Sequence, residues 1–190
     1  LRTGRSQSLL NSLLPDILCA LNQSANPDQT LVRFDNFLSQ LPAGVQLFSL
    51  FKANPKLLTL IGNIMGQAPA LSDQLARRPS LIEGPLNAGF FNKLPDKAEL
   101  SADLAYFLKL SRSYEETLDR ARIWANERRF QIGVLMLEGL LDPVEAGQDL
   151  SKLADILIKT MTTEVMRDFQ NTAGLIKDGT FLVLALGGYG

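Results

Sequence analysis

The sequence predicts a mainly α fold: a helical bundle with a single C-terminal β-strand that begins a truncated sheet. Three observations predict it. Apolar residues recur at helical spacing through most of the chain. Successive stretches open on a capping side chain or a proline. The period changes only once, at Thr180–Leu186, a short apolar run between Gly179 and Gly187. The 190 residues, 46% of them apolar, suffice for one real core and allow a second, smaller element.

From the N-terminus, Leu9, Leu10, Leu13, Leu14, Ile17, Leu18 and Leu21 mark a helix over about 6–23, with Pro15 implying a kink or a restart. Asn26-Pro27-Asp28-Gln29 opens the next: Asn caps, Pro takes the first helical position and Gln reaches back. Leu31, Phe34, Leu38 and Leu41 share its face, and Pro42-Ala43-Gly44 ends it. Between 44 and 90, Pro55, Pro69 and Pro79 each open a short helix, with Asn54 as a cap for the first. Their unequal spacing excludes a solenoid repeat. Residues 84–96, with Gly84, Pro85, Gly89 and Pro95, read as an irregular connector.

A helix over 97–110 follows, and Ser113-Tyr114-Glu115-Glu116 is a capping box opening a long one. Its inner face reads as Tyr114, Leu118, Ala121 and Ala125, continuing through Ile132, Leu135 and Leu140. Asp142-Pro143-Val144-Glu145 starts the last helix, with Leu150, Leu153, Leu157, Met161, Val165 and Phe169 on one stripe and Gly174 at its end. The run Thr180–Leu186 then reads as a buried strand. Such a strand cannot satisfy its backbone groups alone, so its sheet is expected beyond Gly190. Without that sheet, Phe181–Leu186 would be exposed or paired with another molecule. The division expected is 1–95 and 97–190. The first residue is Leu and the last follows an apolar run, so both ends read as cuts in a longer chain.

The formal net charge of −1 offers no basic excess for nucleic acid or an anionic membrane. No window approaches the roughly 18 apolar residues of a span, and the polar start Leu1–Arg5 is no signal peptide. The single Cys19 cannot form an internal disulfide, which fits a reducing, cytoplasmic setting. Its neighbours Ile17, Leu18, Ala20 and Leu21 mark it as a packed core thiol.

Chemistry is sparse. The chain has no His, excluding Ser-His-Asp and Cys-His arrangements and His-based metal sites. Glu115, Glu116, Asp119 and Glu127 read as solvated or capping positions, and no metal ligands are expected. Gly187, Gly188 and Gly190 follow the strand, where glycines let backbone N–H groups approach a phosphate; a simple turn is the alternative. Arg120, Arg122, Arg128 and Arg129 cluster around Trp124 and Phe130. They read as a solvated face paired with Asp119 and Glu127, or as an anion or partner contact centred on Arg128 and Arg129.

Five stretches together carry a resemblance. They are Phe34–Leu38 with Leu41–Leu50, Asn54–Leu60, Ala76–Leu81, Glu127–Gly133 with Glu138-Gly139, and Leu184–Gly190. In that order the chain resembles the bacterial glutamine synthetase adenylyltransferase / adenylyl-tyrosine phosphorylase family, from about residue 30 onward. The resemblance implies an enzyme of two similar halves. One removes AMP from a glutamine synthetase tyrosine by phosphorolysis, and the other attaches it from ATP. The segment Leu41–Leu50 looks like the opening of the second, adenylylating half. Residues 1–95 would be an inter-domain helical region, and 97–190 the helices and first strand of a nucleotidyltransferase domain.

The same resemblance implies ATP and Mg²⁺ for the whole enzyme, with none held by this stretch. It implies glutamine synthetase and the nitrogen-signalling PII protein as partners. Two departures stand out. The family usually has Gly-Lys where this chain has Gly187-Gly188, and its metal-binding D-x-D would follow Gly190. The catalytic residues are therefore expected beyond Gly190, and this stretch alone is expected to be silent. The alternative is a stand-alone helical interaction or regulatory module, which leaves the strand unexplained.

Overall fold

The computed structural model describes residues 4–22, 24–41, 44–174 and 182–184. These form eight α-helices and one 3₁₀ helix among the described residues: α1 Gly4–Asn22, α2 Pro27–Ser39, α3 Gly44–Ala53, α4 Pro55–Gln67, α5 Pro69–Arg77, the 3₁₀ helix Pro79–Leu86, α6 Lys97–Leu108, α7 Tyr114–Leu137 and α8 Pro143–Ala173. Two compact units result. One comprises Leu1–Asn92 with Gly133–Leu141, the other Lys93–Ile132 with Asp142–Gly190.

In the first unit α1 packs on α3 and α4, while α2 packs on α4 and α5. Phe34, Phe37 and Phe51 are buried at its centre, with ring centroids 6.4 and 6.5 Å from Phe34 to the other two. Buried aromatic and branched side chains of this kind contribute roughly 1.5–3 kcal/mol each. Close approach of α4 to the end of α1 needs small residues. A Cβ on Gly62 would meet Ala20 at 3.0 Å, and one on Gly66 would meet the Ser24 Cβ at 2.5 Å. Thr30, fully buried, is satisfied by the Asn26 carbonyl at 2.9 Å and the Ser24 hydroxyl at 2.8 Å. The Arg33 Nη1 donates to the Met65 carbonyl at 2.8 Å, filling an acceptor left open near the end of α4.

Local signals set most boundaries. Asn26 Oδ1 accepts from the Gln29 N–H at 3.2 Å, and Asp142 Oδ1 accepts from Val144 and Glu145. Asp96, at the head of α6, caps in the same way. Pro15 neither stops nor restarts α1. Three cap details differ from expectation. Gln29 does not reach back to Asn26; its Oε1 accepts from Arg33. Asn54 stands at the cap position of α4, but its Nδ2 donates backward to the Leu50 carbonyl at 3.0 Å. Ser113 Oγ accepts from the Glu116 N–H, yet the Glu116 carboxylate takes the Arg112 N–H, one residue earlier than a capping box requires.

The stretch opened by Pro79 is a 3₁₀ helix, and it extends into what the sequence suggested was connector. Cys19 is exposed, not a core thiol: α1 buries Leu13, Ile17 and Leu21, and Cys19 falls off that line. No described helix is long and apolar enough to cross a membrane.

The second unit packs α6 on α8. The buried face of α8 is Ala146, Asp149, Leu153 and Ile156. The predicted stripe is displaced from it: of its members only Leu153 is buried, whereas Leu150, Val165 and Phe169 are exposed. Of the face expected for α7, Ala121, Ile132 and Leu135 are buried, but Leu140 is exposed and the face is shifted. Leu118 is exposed, and Thr117, Ala121, Trp124, Gln131 and Leu135 are buried. With the half-buried Arg128 between Trp124 and Gln131 they recur at three- and four-residue steps, so the inner stripe is a true helical face whose polar members hide it from a count of apolar residues.

The predicted C-terminal strand is not seen among the described residues. Of Thr180–Leu186 only Leu182, Val183 and Leu184 are described. They adopt no regular secondary structure and are 75, 48 and 73% exposed. No described segment offers a strand edge with which they could pair.

Candidate functional site

The polar side chains of the second unit converge where α6 meets α7. Trp124 is 2% exposed, so its indole N–H must find an acceptor inside the unit. Asp103 on α6 supplies it: Oδ2 accepts from Trp124 Nε1 at 2.7 Å and from Arg128 Nη2 at 2.6 Å. The Arg128 guanidinium lies over the Trp124 ring, 5.8 Å from its centroid, and its Nη1 donates to Gln131 Oε1. Burial pushes the Asp103 carboxyl up, but the hydrogen bonds from Trp124 and Arg128 and the Arg128 charge outweigh it. The net position lies below the usual aspartate range.

About two helical turns nearer the N-terminus, Arg120 repeats the design of Arg128 on a smaller scale. Its Nε and Nη2 grip Glu116 Oε1 at 3.0 and 2.9 Å, and its guanidinium sits 5.5 Å from the centroid of Phe107 on α6. Glu116 is held below the usual glutamate range by the Arg112 backbone N–H first and Arg120 second. Arg122 pairs with Asp119 at 2.7 Å on the solvated side. Of the four arginines, Arg129 is exposed and has no ion pair with a described residue.

The two residues proposed as an anion contact therefore part company. Arg128 is half-buried and committed to Asp103, while Arg129 stays accessible on the other side of α7. Sequence spacing pointed to pairs within α7, and for Arg122 that holds. It missed Asp103, because the pairing depends on the register of two helices, which no one-dimensional pattern encodes. The only hint was a lone Trp needing an acceptor.

The remaining members of the resemblance motif finish α7. Gly139 adopts φ +69°, its N–H bonds Met136 O at 3.1 Å, and the Leu140 N–H bonds Leu135 O at 2.8 Å. This is a Schellman stop. Glu138 accepts from Asn63 Nδ2 of α4 at 3.3 Å. Gly133 passes so close to α5 that a Cβ there would lie 2.5 Å from Leu71 Cδ2. Gly187, Gly188 and Gly190 lie outside the described residues. Among the described residues no group of three or more His, Cys, Asp or Glu is placed to hold a metal ion. They do not fit a Mg²⁺ site, and none of them is assigned one.

A family model described as glutamate-ammonia ligase adenylyltransferase matches residues 58–190. The chain belongs to that family. The adenylyltransferase relatives include a bifunctional glutamine synthetase adenylyltransferase/adenylyl-removing enzyme of Mesorhizobium japonicum. It is 43% identical over 189 residues, covering all of this chain and 19% of the relative. Enzymes of the same name from Brucella melitensis and Rhizobium meliloti are 39 and 40% identical, over 100 and 95% of this chain. The chain thus spans about a fifth of the length of the curated relatives it matches. Within the matched region fall the Asp103–Trp124–Arg128 cluster, the α7 stop and the glycines at the end.

Proposed function

We propose that this chain is the helical lead-in to the second, adenylylating half of an enzyme that attaches AMP to a glutamine synthetase tyrosine and removes it again. The observation that carries this reading is the 43% identity running through all of the chain against a relative bearing both activities in its name. In this reading, residues 1–95 are an inter-domain helical region and 97–190 the first part of a nucleotidyltransferase domain. Gly187, Gly188 and Gly190 form the backbone cradle that meets phosphate, and ATP and Mg²⁺ serve the whole enzyme. The carboxylates that would hold the metal follow Gly190.

What the chain contributes is position. Asp103, Trp124 and Arg128 clamp α6 to α7, and capping by Asp142 fixes the start of α8, which leads toward the glycines. Arg129 is the accessible guanidinium for an anion or a protein partner, such as glutamine synthetase or the nitrogen-signalling PII protein. Neither a nucleic acid nor a membrane is assigned to it, and the setting is cytoplasmic.

The test is an AMP-transfer assay read by the intact mass of glutamine synthetase. Incubated with glutamine synthetase, ATP and Mg²⁺, the 190-residue chain should give no mass increase, while the full Mesorhizobium japonicum enzyme gives one AMP per modified subunit. Turnover by the chain alone would refute the reading.

A further inference from the structure

The end of α7 carries the wrong charge for a helix C-terminus. Unsatisfied carbonyls there favour a cation, and a carboxylate is disfavoured. Yet α7 has no basic residue in its last turn, and the residue just past it is Glu138. No described cation pairs with Glu138; among the described residues its Oε1 accepts from the Asn63 amide, and the carboxylate is otherwise exposed to solvent. This misplaced carboxylate borders a cavity of about 480 Å³ in the first unit.

The rest of the cavity is mixed, an apolar wall facing polar groups from Asn54, Thr59 and Asn63. Leu57 and Leu60 of α4 line it and are buried, while Leu86 and Phe91 line it and remain 41 and 40% exposed. Lys56 also lines it. Lys56 and Asn63 are seven residues apart on α4, so Lys56 sits about 10 Å along the helix from the residue that holds Glu138. The positive charge is thus at one end and the carboxylate at the other. A half-open cleft of this size, with an apolar wall and a few converging polar groups, can seat a small molecule.

We propose that this cavity binds a small organic cation: an apolar, preferably aromatic body between Leu86 and Phe91, with a primary ammonium on Glu138. The ammonium would complete the Glu138 carboxylate with a charge-assisted hydrogen bond and neutralise the α7 terminus at once. The site stands apart from nucleotide transfer and does not rest on the function proposed above.

The probe is 4-phenylbutylamine, titrated into the 190-residue chain and followed by ¹H–¹⁵N NMR. The expected result is saturable shifts at the Asn63 side-chain amide and at the backbone of 86–91 and 138–140. The neutral isostere 4-phenylbutanol should bind roughly tenfold more weakly. Glu138→Gln should erase that difference while leaving the alcohol's affinity unchanged, and Phe91→Ala should weaken both compounds. Because Glu138 is exposed, its variant should keep the wild-type spectrum elsewhere, and Phe91→Ala should add shifts only around Phe90, whose ring it meets edge-on at 5.2 Å. Absence of saturable shifts, equal affinity for amine and alcohol, or an amine affinity unmoved by Glu138→Gln would each overturn the proposal.

Discussion

Trp124 donates its indole N–H to the Asp103 carboxylate at 2.7 Å, and this bond ties α7 to α6 from inside the second unit. Asp103→Ala would strand a buried indole donor and leave the half-buried Arg128 guanidinium unpaired. The expected cost is about 1–3 kcal/mol in urea unfolding. Trp124 is the chain's single tryptophan, so its fluorescence reports the transition directly. Arg129→Ala, at an exposed position, should stay within about 0.5 kcal/mol of wild type.

The pair Gly66 and Ser24 makes a steric prediction. A methyl on Gly66 would sit 2.5 Å from the Ser24 Cβ, an atom fixed to the backbone that no rotamer change can remove. Gly66→Ala should lose roughly 1–2 kcal/mol even after the gain in helix propensity. Ser24→Gly forfeits its own hydroxyl bond to Thr30 but removes the clash, so a double-mutant cycle should show Gly66→Ala costing clearly less in the Ser24→Gly background. If the single variant proved as stable as wild type, α4 would not approach α1 this closely.

Gly139 differs from Gly66 in kind. Nothing lies within 4 Å of a Cβ built there, so only its φ of +69° opposes a side chain. Gly139→Ala should cost about 1–2 kcal/mol, and Gly139→Asn clearly less, since Asn tolerates the left-handed region. Thermal unfolding of the two variants checks the order.

Acid sensitivity follows from four carboxylates held below their ordinary range, Glu115 among them through the backbone N–H at its own position and the Ser113 hydroxyl. Asp142 is depressed chiefly by the Glu145 backbone N–H, Glu116 by that of Arg112, and Asp103 by Trp124 and Arg128 against its burial. With folded values below the ordinary 3.8 and 4.5, the unfolded chain takes up these protons first. Their contribution is therefore fully present above that range and lost as pH falls through the lower folded values. Lys93 has the opposite sign. Its hydrogen bond to Glu145 raises it above 10.5, so its contribution is complete below that value and fades as pH rises through the folded one. Urea midpoints across the pH range should fall at both extremes, and Asp142→Asn should flatten the acid side.

Cys19 should react with an aromatic disulfide in native buffer at a rate close to that of the denatured chain, because it is exposed. Protection until unfolding would restore the core position its apolar neighbours suggested.

What the sequence made legible was local. Asn26, Ser113, Asp142, the N-terminal prolines and Gly174 all act at the helix ends where their chemistry placed them, because caps depend on residues three or four apart. Which face turns inward was less legible. On α7, Thr117, Arg128 and Gln131 occupy the inner stripe and Leu118 does not, since hydrogen bonds of Thr117 to the Ser113 carbonyl and of Arg128 to Gln131 and to Asp103 of α6 stabilise positions that hydrophobicity alone rejects. On α8, Ala146 and Asp149 precede Leu153 on the buried side, and the longer apolar residues beyond Ile156 are not buried within the described unit. Of the candidate site, Arg128 and Arg129 were found by type, but their separation into a clamp and an open guanidinium required the α6 register.

The most direct test of the account is transplantation. The 189-residue matching segment of the Mesorhizobium japonicum enzyme would be replaced by this chain, and AMP transfer to glutamine synthetase measured on the purified hybrid. If this chain is the helical lead-in to the adenylylating half, the hybrid transfers AMP at a rate comparable to its parent, and Asp103→Ala within it lowers thermal stability. A hybrid that folds with the parent's melting profile yet transfers no AMP would contradict it.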